Sequence, residues 1–474
     1  MNSKTNQKPI LWRLRPTGRR LILILTDFLI TLVSLSVSLY FWALKDAWLD
    51  FSFEFLTKRI PMWFYLLPFI WILFLIEIYD LKRASRRSDT VQGVAIAAAI
   101  SLAFYLLIYF TSAPNSMPRW GVSAFILLCS TLTIIWRLLY IQIFTAPLFM
   151  RRVLIVGAGR AGSTLAKITK ESWPPPFFLA GLIDDDKKKQ GATIEGFQVI
   201  GNSSQLMNII ESEHITDLVF AISGNMMPNT FQTILSAEEK GIEVTTMPTM
   251  YEELLGRVPI RLLESDWILR SFVDQVHASE IFELAKRLLD ILGSLIGIAM
   301  LVIILPFVAL GILLDDGGPI FYIQDRLGKN GRVYKIIKFR TMRNDAENDD
   351  QPQPTMENDE RITRFGSFLR KSHLDEFPQF INILTSDMSL VGPRAERLEL
   401  VNELQAQVPF YRARLLVKPG LTGWAQINYG YASTVNETII KLEHDLYYIK
   451  HRNLLLDIII LIRTVGTVLG FKGT

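Results

Sequence analysis

Four apolar stretches lie within the first 150 residues, and no other feature restricts the fold of this chain so tightly. They run roughly Leu21–Leu44, Trp63–Tyr79, Val91–Ser112 and Gly121–Phe144. A bilayer core of about 30 Å needs about 20 apolar residues in a helix, so each stretch can span, the second only just. Half of the 474 residues are hydrophobic, including 29 Phe and 10 Trp. The positive mean hydropathy points to lipid rather than to an oversized core. A basic run, Arg13 to Arg20, precedes the first stretch, and no small-residue cleavage site follows it. That stretch is therefore expected to be a retained anchor rather than a signal peptide.

The loops give an orientation. Arg13, Arg15, Arg19 and Arg20 precede the first stretch; Lys82, Arg83, Arg86 and Arg87 separate the second from the third; Arg151 and Arg152 follow the fourth. The loop after the third holds only Arg119, and the loop after the first mixes Lys45, Lys58 and Arg59 with acids. The positive-inside rule puts both ends of this block, residues 1–150, in the cytoplasm. The net charge of +4 gives no reason to expect a nucleic acid partner, and the single cysteine, Cys129, can build neither a disulfide framework nor a zinc site.

Residues 151–270 change character. The buried-strand run Arg152–Val156 leads into Gly157-Ala-Gly159-Arg-Ala-Gly162 and a helical stretch, and apolar runs recur at Phe178–Ile183, Leu218–Ile222 and Ile242–Met247. Alternation of strands and helices predicts a parallel-sheet, Rossmann-like α/β domain. The glycine turn at Gly157, Gly159 and Gly162 stands where a phosphate cradle would lie, and Asp184, Asp185 and Asp186 end the next strand, where a ribose-binding acid would lie. The same turn also serves plain helix–strand packing, and no Tyr-x-x-x-Lys pair for dehydrogenase chemistry follows. Both uses stay open.

A long apolar run, Leu288–Leu314, is interrupted by Pro306. Lys286 and Arg287 flank it on one side; Arg326, Lys329, Arg332, Lys335, Lys338, Arg340 and Arg343 follow on the other. A full crossing would reverse the charge bias, so both flanks are expected to be cytoplasmic. Pro306 removes an intrahelical hydrogen bond and predicts a kink. A re-entrant helix over 283–314, entering and leaving one leaflet, satisfies both. The final helix, Asn453–Phe471, carries Asp457 and Arg463 and is short, which predicts an interfacial helix. The acidic stretch Asn344–Asp359 reads as a loop.

The polar C-terminal third, within residues 271–474, holds the densest chemistry. Arg326 closes the run Gly318–Gly328; Lys338-Phe-Arg340-Thr-Met follows; then come Arg370-Lys-Ser-His-Leu-Asp375-Glu376-Phe-Pro378-Gln379, Asp387-Met-Ser-Leu-Val-Gly392-Pro393-Arg394 and Lys418-Pro-Gly-Leu-Thr-Gly-Trp424-Ala-Gln426. Pro378 suits a first helical turn, which puts Asp375 near an N-cap. A cap stabilises by about 1 kcal/mol, and a helix N-terminus also attracts phosphate. Arg370, Arg394, Lys338 and Arg340 add cations able to meet one diphosphate, with arginine suited to bidentate contact. Beside them, one of two adjacent carboxylates can attack phosphorus and the other can hold magnesium.

These motifs, in this order, resemble the bacterial sugar transferases, the polyprenyl-phosphate hexose-1-phosphate transferases, over roughly Phe282–Gly470. The upstream membrane block and α/β domain resemble the long form of that family. The resemblance implies a monotopic catalytic domain with a proline-kinked re-entrant helix, in a multi-pass protein of the bacterial cytoplasmic membrane. It implies attack by Asp375 on the sugar-linked phosphate of a UDP-sugar, release of UMP, and transfer of the sugar phosphate to a polyprenyl phosphate as the first step of surface polysaccharide synthesis. It also implies that Glu376 is the Mg2+ ligand, that Arg370 and Arg394 contact phosphate, and that Asp457 is a further acid near the site. Lys338, Arg340, Arg326 and Gln426 complete the expected substrate-binding set. One departure stands out: after Gln426 many members carry a Gly-Arg pair, whereas this chain reads Ile427-Asn-Tyr429-Gly430-Tyr431. His373 reads as structural, and Trp424 as a packing anchor. Besides nucleotide sugar, lipid phosphate and bilayer, a second copy of the chain is a plausible partner. Two rival readings are a non-covalent transferase on the same substrates and a membrane scaffold that senses a dinucleotide.

Overall fold

A computed structural model of the chain describes residues 16–45, 50–79, 81–111, 119–144, 150–222, 228–262, 280–343, 359–430 and 434–469. Of the expected loop Asn344–Asp359, all but Asp359 falls outside them, as does Tyr431. Two compact units divide the chain, residues 1–247 and 248–474. Among the described residues, four helices are long and apolar enough to cross a membrane: Gly18–Leu44, Arg87–Leu106, Gly121–Phe144 and Glu280–Asp316. With the sheet described below, they make this a membrane protein of mixed α and α/β class.

In the first unit the spanning helices are α1 (Pro16–Lys45), α4 (Arg87–Thr111) and α5 (Arg119–Phe144). The second apolar stretch departs from the expectation of a regular span. It is a 3-10 segment, Met62–Leu66, then α2 (Leu67–Phe74), a 3-10 segment, Ile76–Tyr79, and α3 (Leu81–Ala84). Pro61 precedes the first segment and Pro68 sits in the first turn of α2, where a residue without an N–H is tolerated. The stretch still runs alongside α1: Phe64 meets Trp42 at 5.8 Å between ring centres, and Phe69 meets Phe28 at 5.6 Å. Deep inside the block, Arg137 lies 2.6 Å from Asp27, both side chains fully buried. A second nitrogen of Arg137 donates to the Ile78 carbonyl at 3.1 Å.

The α/β domain follows with β1 (Arg152–Val156), α6 (Arg160–Glu171), β2 (Phe178–Ile183), β3 (Thr193–Ile194), β4 (Phe197–Gly201), α7 (Leu206–Ser212), β5 (Asp217–Phe220), α8 (Pro228–Glu239) and β6 (Glu243–Thr246). The sheet order is β3-β4-β2-β1-β5-β6, parallel throughout except for the β3–β4 pair. β1 therefore has β2 on one side and β5 on the other, a switch point of the kind at which such sheets open a crevice.

The second unit opens on most of α9 (Met247–Leu255), which joins the C-terminal half ahead of the expected boundary at 270. The reason is long-range bonding. The N–H of Val258 donates to the Glu443 carbonyl at 3.0 Å, and Glu252 takes Lys450 at 2.7 Å and His451 at 2.7 Å.

α10 (Glu280–Asp316) is the axis of this unit. Asp290, Ser294, Gly297, Leu301, Val308 and Ile312 form its buried stripe, at the three-to-four-residue spacing of one helix face. Gly297 and Gly311 let partners come close: a Cβ there would press on Phe380 and Phe365. The opposite face exposes Leu288, Leu292, Ile296, Ile303, Phe307, Leu310 and Leu314. Pro306 lies inside the helix, which runs on to Asp316. Near the two ends, Lys286 donates to the Val391 carbonyl at 3.0 Å, and Asp315 accepts the N–H of Phe365 at 2.8 Å.

Around α10 come the antiparallel hairpin β7 (Phe321–Leu327) and β8 (Val333–Phe339), α11 (Arg364–Lys371), α12 (Gln379–Leu384), β9 (Ser389–Val391), α13 (Leu398–Gln407), β10 (Gly420–Thr422), α14 (Trp424–Asn428), α15 (Val435–His451) and α16 (Leu454–Leu469). Val391, Leu442, Leu446, Tyr448 and Ile460 lie in its core.

Candidate active site

The carboxylate pair sits on a 3-10 turn, Leu374–Glu376, one turn before α12. His373 precedes it in the left-handed region at φ 56°, so its role is to turn the chain into the dyad. The turn is held against β8 by Asn382, whose amide Nδ2 donates to the Lys335 carbonyl at 2.8 Å while its Oδ1 accepts the Ile337 N–H at 3.0 Å. Asn382 thus acts as a surrogate strand, fixing the dyad opposite Lys338. At the other end of α12, Arg287 donates to the Ile383 and Leu384 carbonyls at 2.9 and 2.8 Å, the favoured place for a cation on a helix.

Lys338 lies 2.8 Å from Glu376, and Arg394 lies 3.3 Å from the same oxygen. Arg394 is delivered by two interlocked loops. The N–H of Gly392 donates to the Thr422 carbonyl and that of Gly420 to the Pro393 carbonyl, both at 2.9 Å. A Cβ on Gly392 would sit 2.4 Å from the Lys418 carbonyl oxygen, and one on Gly420 2.1 Å from the Gly392 nitrogen. Only glycine permits that backbone approach. Arg370 hydrogen-bonds the Thr341 hydroxyl at 2.9 Å and acts on Asp375 through its charge.

The two acids are driven apart electrostatically. Burial and the Glu376 charge push the Asp375 carboxyl up to about 6, against the pull of Lys338, Arg370 and Arg394. Burial also opposes charge on Glu376, but Lys338 and Arg394 outweigh it and hold that carboxyl at about 2. One acid stays ionised and cation-bound while its neighbour titrates near neutrality, the separation expected where two carboxyls take different roles.

Beside the dyad opens a cavity of about 30 Å³, lined among others by Arg326, Lys338, Glu376, Gln379 and Arg394. Arg326 donates to Gln324 at 2.7 Å and to the Ala395 carbonyl at 3.2 Å, while its buried Nε has no hydrogen-bond partner among the described residues. Five expected residues, Asp375, Glu376, Arg370, Arg394 and Lys338, therefore act on one another, and Arg326 joins them through the cavity. Magnesium commonly takes one or two carboxylates and completes its shell with water and substrate phosphate, and this pair of acids fits that demand. Among the described residues no group of three or more His, Cys, Asp or Glu side chains forms a closed metal cage.

Three expected residues lie elsewhere. Arg340 follows the last residue of β8, and its guanidinium turns onto the Gly318 and Asp316 carbonyls and, at 3.0 Å, the Asp316 carboxylate. It closes the end of α10 rather than the cavity. Asp457 is fully buried, 2.8 Å from Lys286 and 2.8 Å from the Tyr448 hydroxyl, away from the cavity lining. Gln426 donates to the Leu421 carbonyl at 3.4 Å and does not line the cavity. Trp424 stacks on Tyr447 at 5.6 Å, with its Nε1 donating to the Gly256 carbonyl at 2.7 Å.

The glycine turn in the α/β domain is built for packing at two positions. Gly157 has φ 108°, and a Cβ on Gly162 would fall 1.9 Å from the Gly157 carbonyl oxygen, whereas one on Gly159 would meet nothing within 4 Å. Asp184 is already engaged, accepting the Ala158 N–H at 2.8 Å and Lys189 at 3.0 Å. Burial would raise its carboxyl, but the Asp186 N–H, Lys189 and the Ala158 N–H prevail and lower it.

Residues 281–471 match the bacterial sugar transferase family, and residues 74–248 match a CoA-binding domain family. The chain is 40% identical over 233 residues to a UDP-N-acetylgalactosamine-undecaprenyl-phosphate N-acetylgalactosaminephosphotransferase of Aeromonas hydrophila, covering 48% of this chain and 53% of the relative. It is 31% identical over 288 residues to a UDP-glucose:undecaprenyl-phosphate glucose-1-phosphate transferase of Xanthomonas campestris pv. campestris, covering 59% of this chain and 58% of the relative. The chain thus spans little more than half the length of these two. It covers 92% of the exopolysaccharide production protein PSS of Rhizobium leguminosarum bv. phaseoli, at 39% identity over 188 residues.

Proposed function

This chain belongs to the bacterial sugar transferase family, and on that premise we propose that it moves a sugar 1-phosphate from a UDP-sugar to a polyprenyl phosphate through a covalent intermediate on Asp375. The observation that carries the reading is the split dyad. Asp375, raised to about 6, is ionised at neutral pH yet less stabilised than Glu376, which stays bound to Lys338 and Arg394.

In the proposed first step an Asp375 carboxylate oxygen attacks the phosphorus bonded to the sugar. The bond from that phosphorus to the UMP oxygen breaks, and UMP leaves with the electron pair. In the second step an oxygen of the polyprenyl phosphate attacks the same phosphorus, and the Asp375 carboxylate leaves. The products are a polyprenyl diphosphate sugar and UMP. Lys338, Arg394 and Arg326 gather the diphosphate, and Arg370 steadies the charge on Asp375. Magnesium, held by Glu376 and the substrate, would spread negative charge on the diphosphate.

The reaction needs a site that both a soluble nucleotide and a lipid headgroup can reach. α10 supports this: contacts with the same unit near both of its ends favour a helix that enters and leaves one leaflet, with its apolar face in lipid. Basic flanks favour the cytoplasmic face of the bacterial inner membrane. Polysaccharide initiation is the proposed setting.

Purified chain supplied with magnesium, a panel of UDP-sugars and undecaprenyl phosphate should release UMP, and Asp375→Asn should abolish that release. Release of UDP would sink the reaction class. A sugar-phosphate adduct on the Asp375 peptide, sought by mass spectrometry without the lipid acceptor, separates the covalent route from direct transfer.

A further inference from the structure

Gln379 lies one turn beyond the dyad, three residues after Glu376, where a helix-like course brings side chains to the same face. It is 3% exposed, yet its amide Nε2 has no hydrogen-bond partner among the described residues. Its side chain lines the same cavity as Glu376, Lys338, Arg326 and Arg394. Buried amide donors are paired in native proteins, and an exception facing a cavity is a demand for an acceptor.

The cavity says what kind of acceptor. Its charged lining is three cations, Arg326, Lys338 and Arg394, against one acid, Glu376, so a positive excess remains and the ligand end that enters is anionic. Its volume, about 30 Å³, is room for one or two water-sized groups, so it admits phosphate oxygens and not a base or a sugar ring. Lys338 and Arg394 are bound to Glu376, whereas the Gln379 N–H is uncommitted. A neutral donor of this kind follows charge as it develops without holding the ground state tightly.

We propose that Gln379 is a further catalytic residue whose amide donates to a non-bridging oxygen of the sugar-linked phosphoryl group while that group passes from UMP to Asp375. This rests on the transferase reading above. The equatorial oxygens carry negative charge in the transition state as the bond to Asp375 forms and the bond to UMP breaks, and the Gln379 donor is aimed at the place that charge then occupies.

The test is steady-state UMP release by the full chain in detergent or nanodiscs, with UDP-sugar and undecaprenyl phosphate varied in turn. Gln379→Met keeps the volume and removes the donor. It should lower kcat by about 10²–10³-fold, leave KM for the UDP-sugar within about twofold, and leave the thermal midpoint unchanged or higher. Gln379→Glu keeps the shape and should lose at least as much. A kcat within threefold of wild type in either variant, or a rise in KM alone, overturns the inference while the transferase reading stands. A wild-type chain that releases no UMP overturns both.

Discussion

Lys286 and Asp457, 171 residues apart in sequence, meet at 2.8 Å in the interior of the second unit. The Tyr448 hydroxyl donates to the other Asp457 oxygen at 2.8 Å, and Lys286 also donates to the Val391 carbonyl at 3.0 Å. Val391 is followed by Gly392, Pro393 and Arg394, so this brace grips the root of the loop that carries a cation to the dyad. Asp457, expected near the chemistry, reaches it through that loop.

Breaking the brace should cost stability before chemistry. Asp457→Asn leaves the Lys286 ammonium buried without its counter-ion and should destabilise the second unit by about 3–5 kcal/mol. Replacing both partners, Lys286→Met with Asp457→Leu, should recover much of that loss, because no unpaired charge remains. Denaturant unfolding of the single and double variants measures the difference.

Activity should fall with acid. On the proposed route Asp375 must be ionised to attack, and burial with the Glu376 charge raises its carboxyl to about 6. A profile of kcat/KM against pH should therefore show an acid limb near pH 6, tenfold lower for each unit below it. Glu376, at about 2, keeps its charge across that range and contributes no second limb. Arg394→Met removes one cation facing Asp375 and should move the limb upward.

Asp375→Asn should make the protein inactive and more stable. A carboxyl raised by folding binds its proton more tightly in the folded state, so its ionised form opposes folding at neutral pH. The amide removes that opposition. Its thermal midpoint should exceed wild type at pH 7.5, and the gap should close as pH falls through 6 toward the unfolded value near 4. An equal midpoint at every pH would contradict the raised value.

Asp27 and Arg137 form a fully buried pair among the spanning helices. Asp27→Asn or Arg137→Leu alone strands one partner, which in a bilayer costs about 2.5–3.5 kcal/mol for a single charge. Exchanging them, Asp27→Arg with Arg137→Asp, should restore part of the folded yield after membrane extraction, scored by size-exclusion chromatography.

Much of this architecture is legible in the sequence because lipid and sheet impose periods. Three of the four early apolar stretches became full-length spanning helices, and the runs at 178–183 and 242–247 became β2 and β6. The stretch from Trp63 broke the pattern: Pro61 and Pro68 interrupt its bonding ahead of and at the start of α2, and a second 3-10 segment follows that helix. Two residues apart, Lys338 and Arg340 would share one face of a continuous strand. β8 ends at Phe339, so Arg340 leaves that face and caps α10. Asp457 with Lys286, and Val258 with Glu443, are pairings over long distances, which local spacing does not encode. Gln379 stood in a recognised motif without a role; the signal is a polar side chain buried on the dyad's own face.

The glycines of α10 make this long apolar helix an integral part of the second unit's interior, with Phe380 and Phe365 resting where its side chains would be. A truncation that discards this helix to gain solubility strips the hydrophobic heart as well as the anchor. What survives is an open shell prone to aggregation.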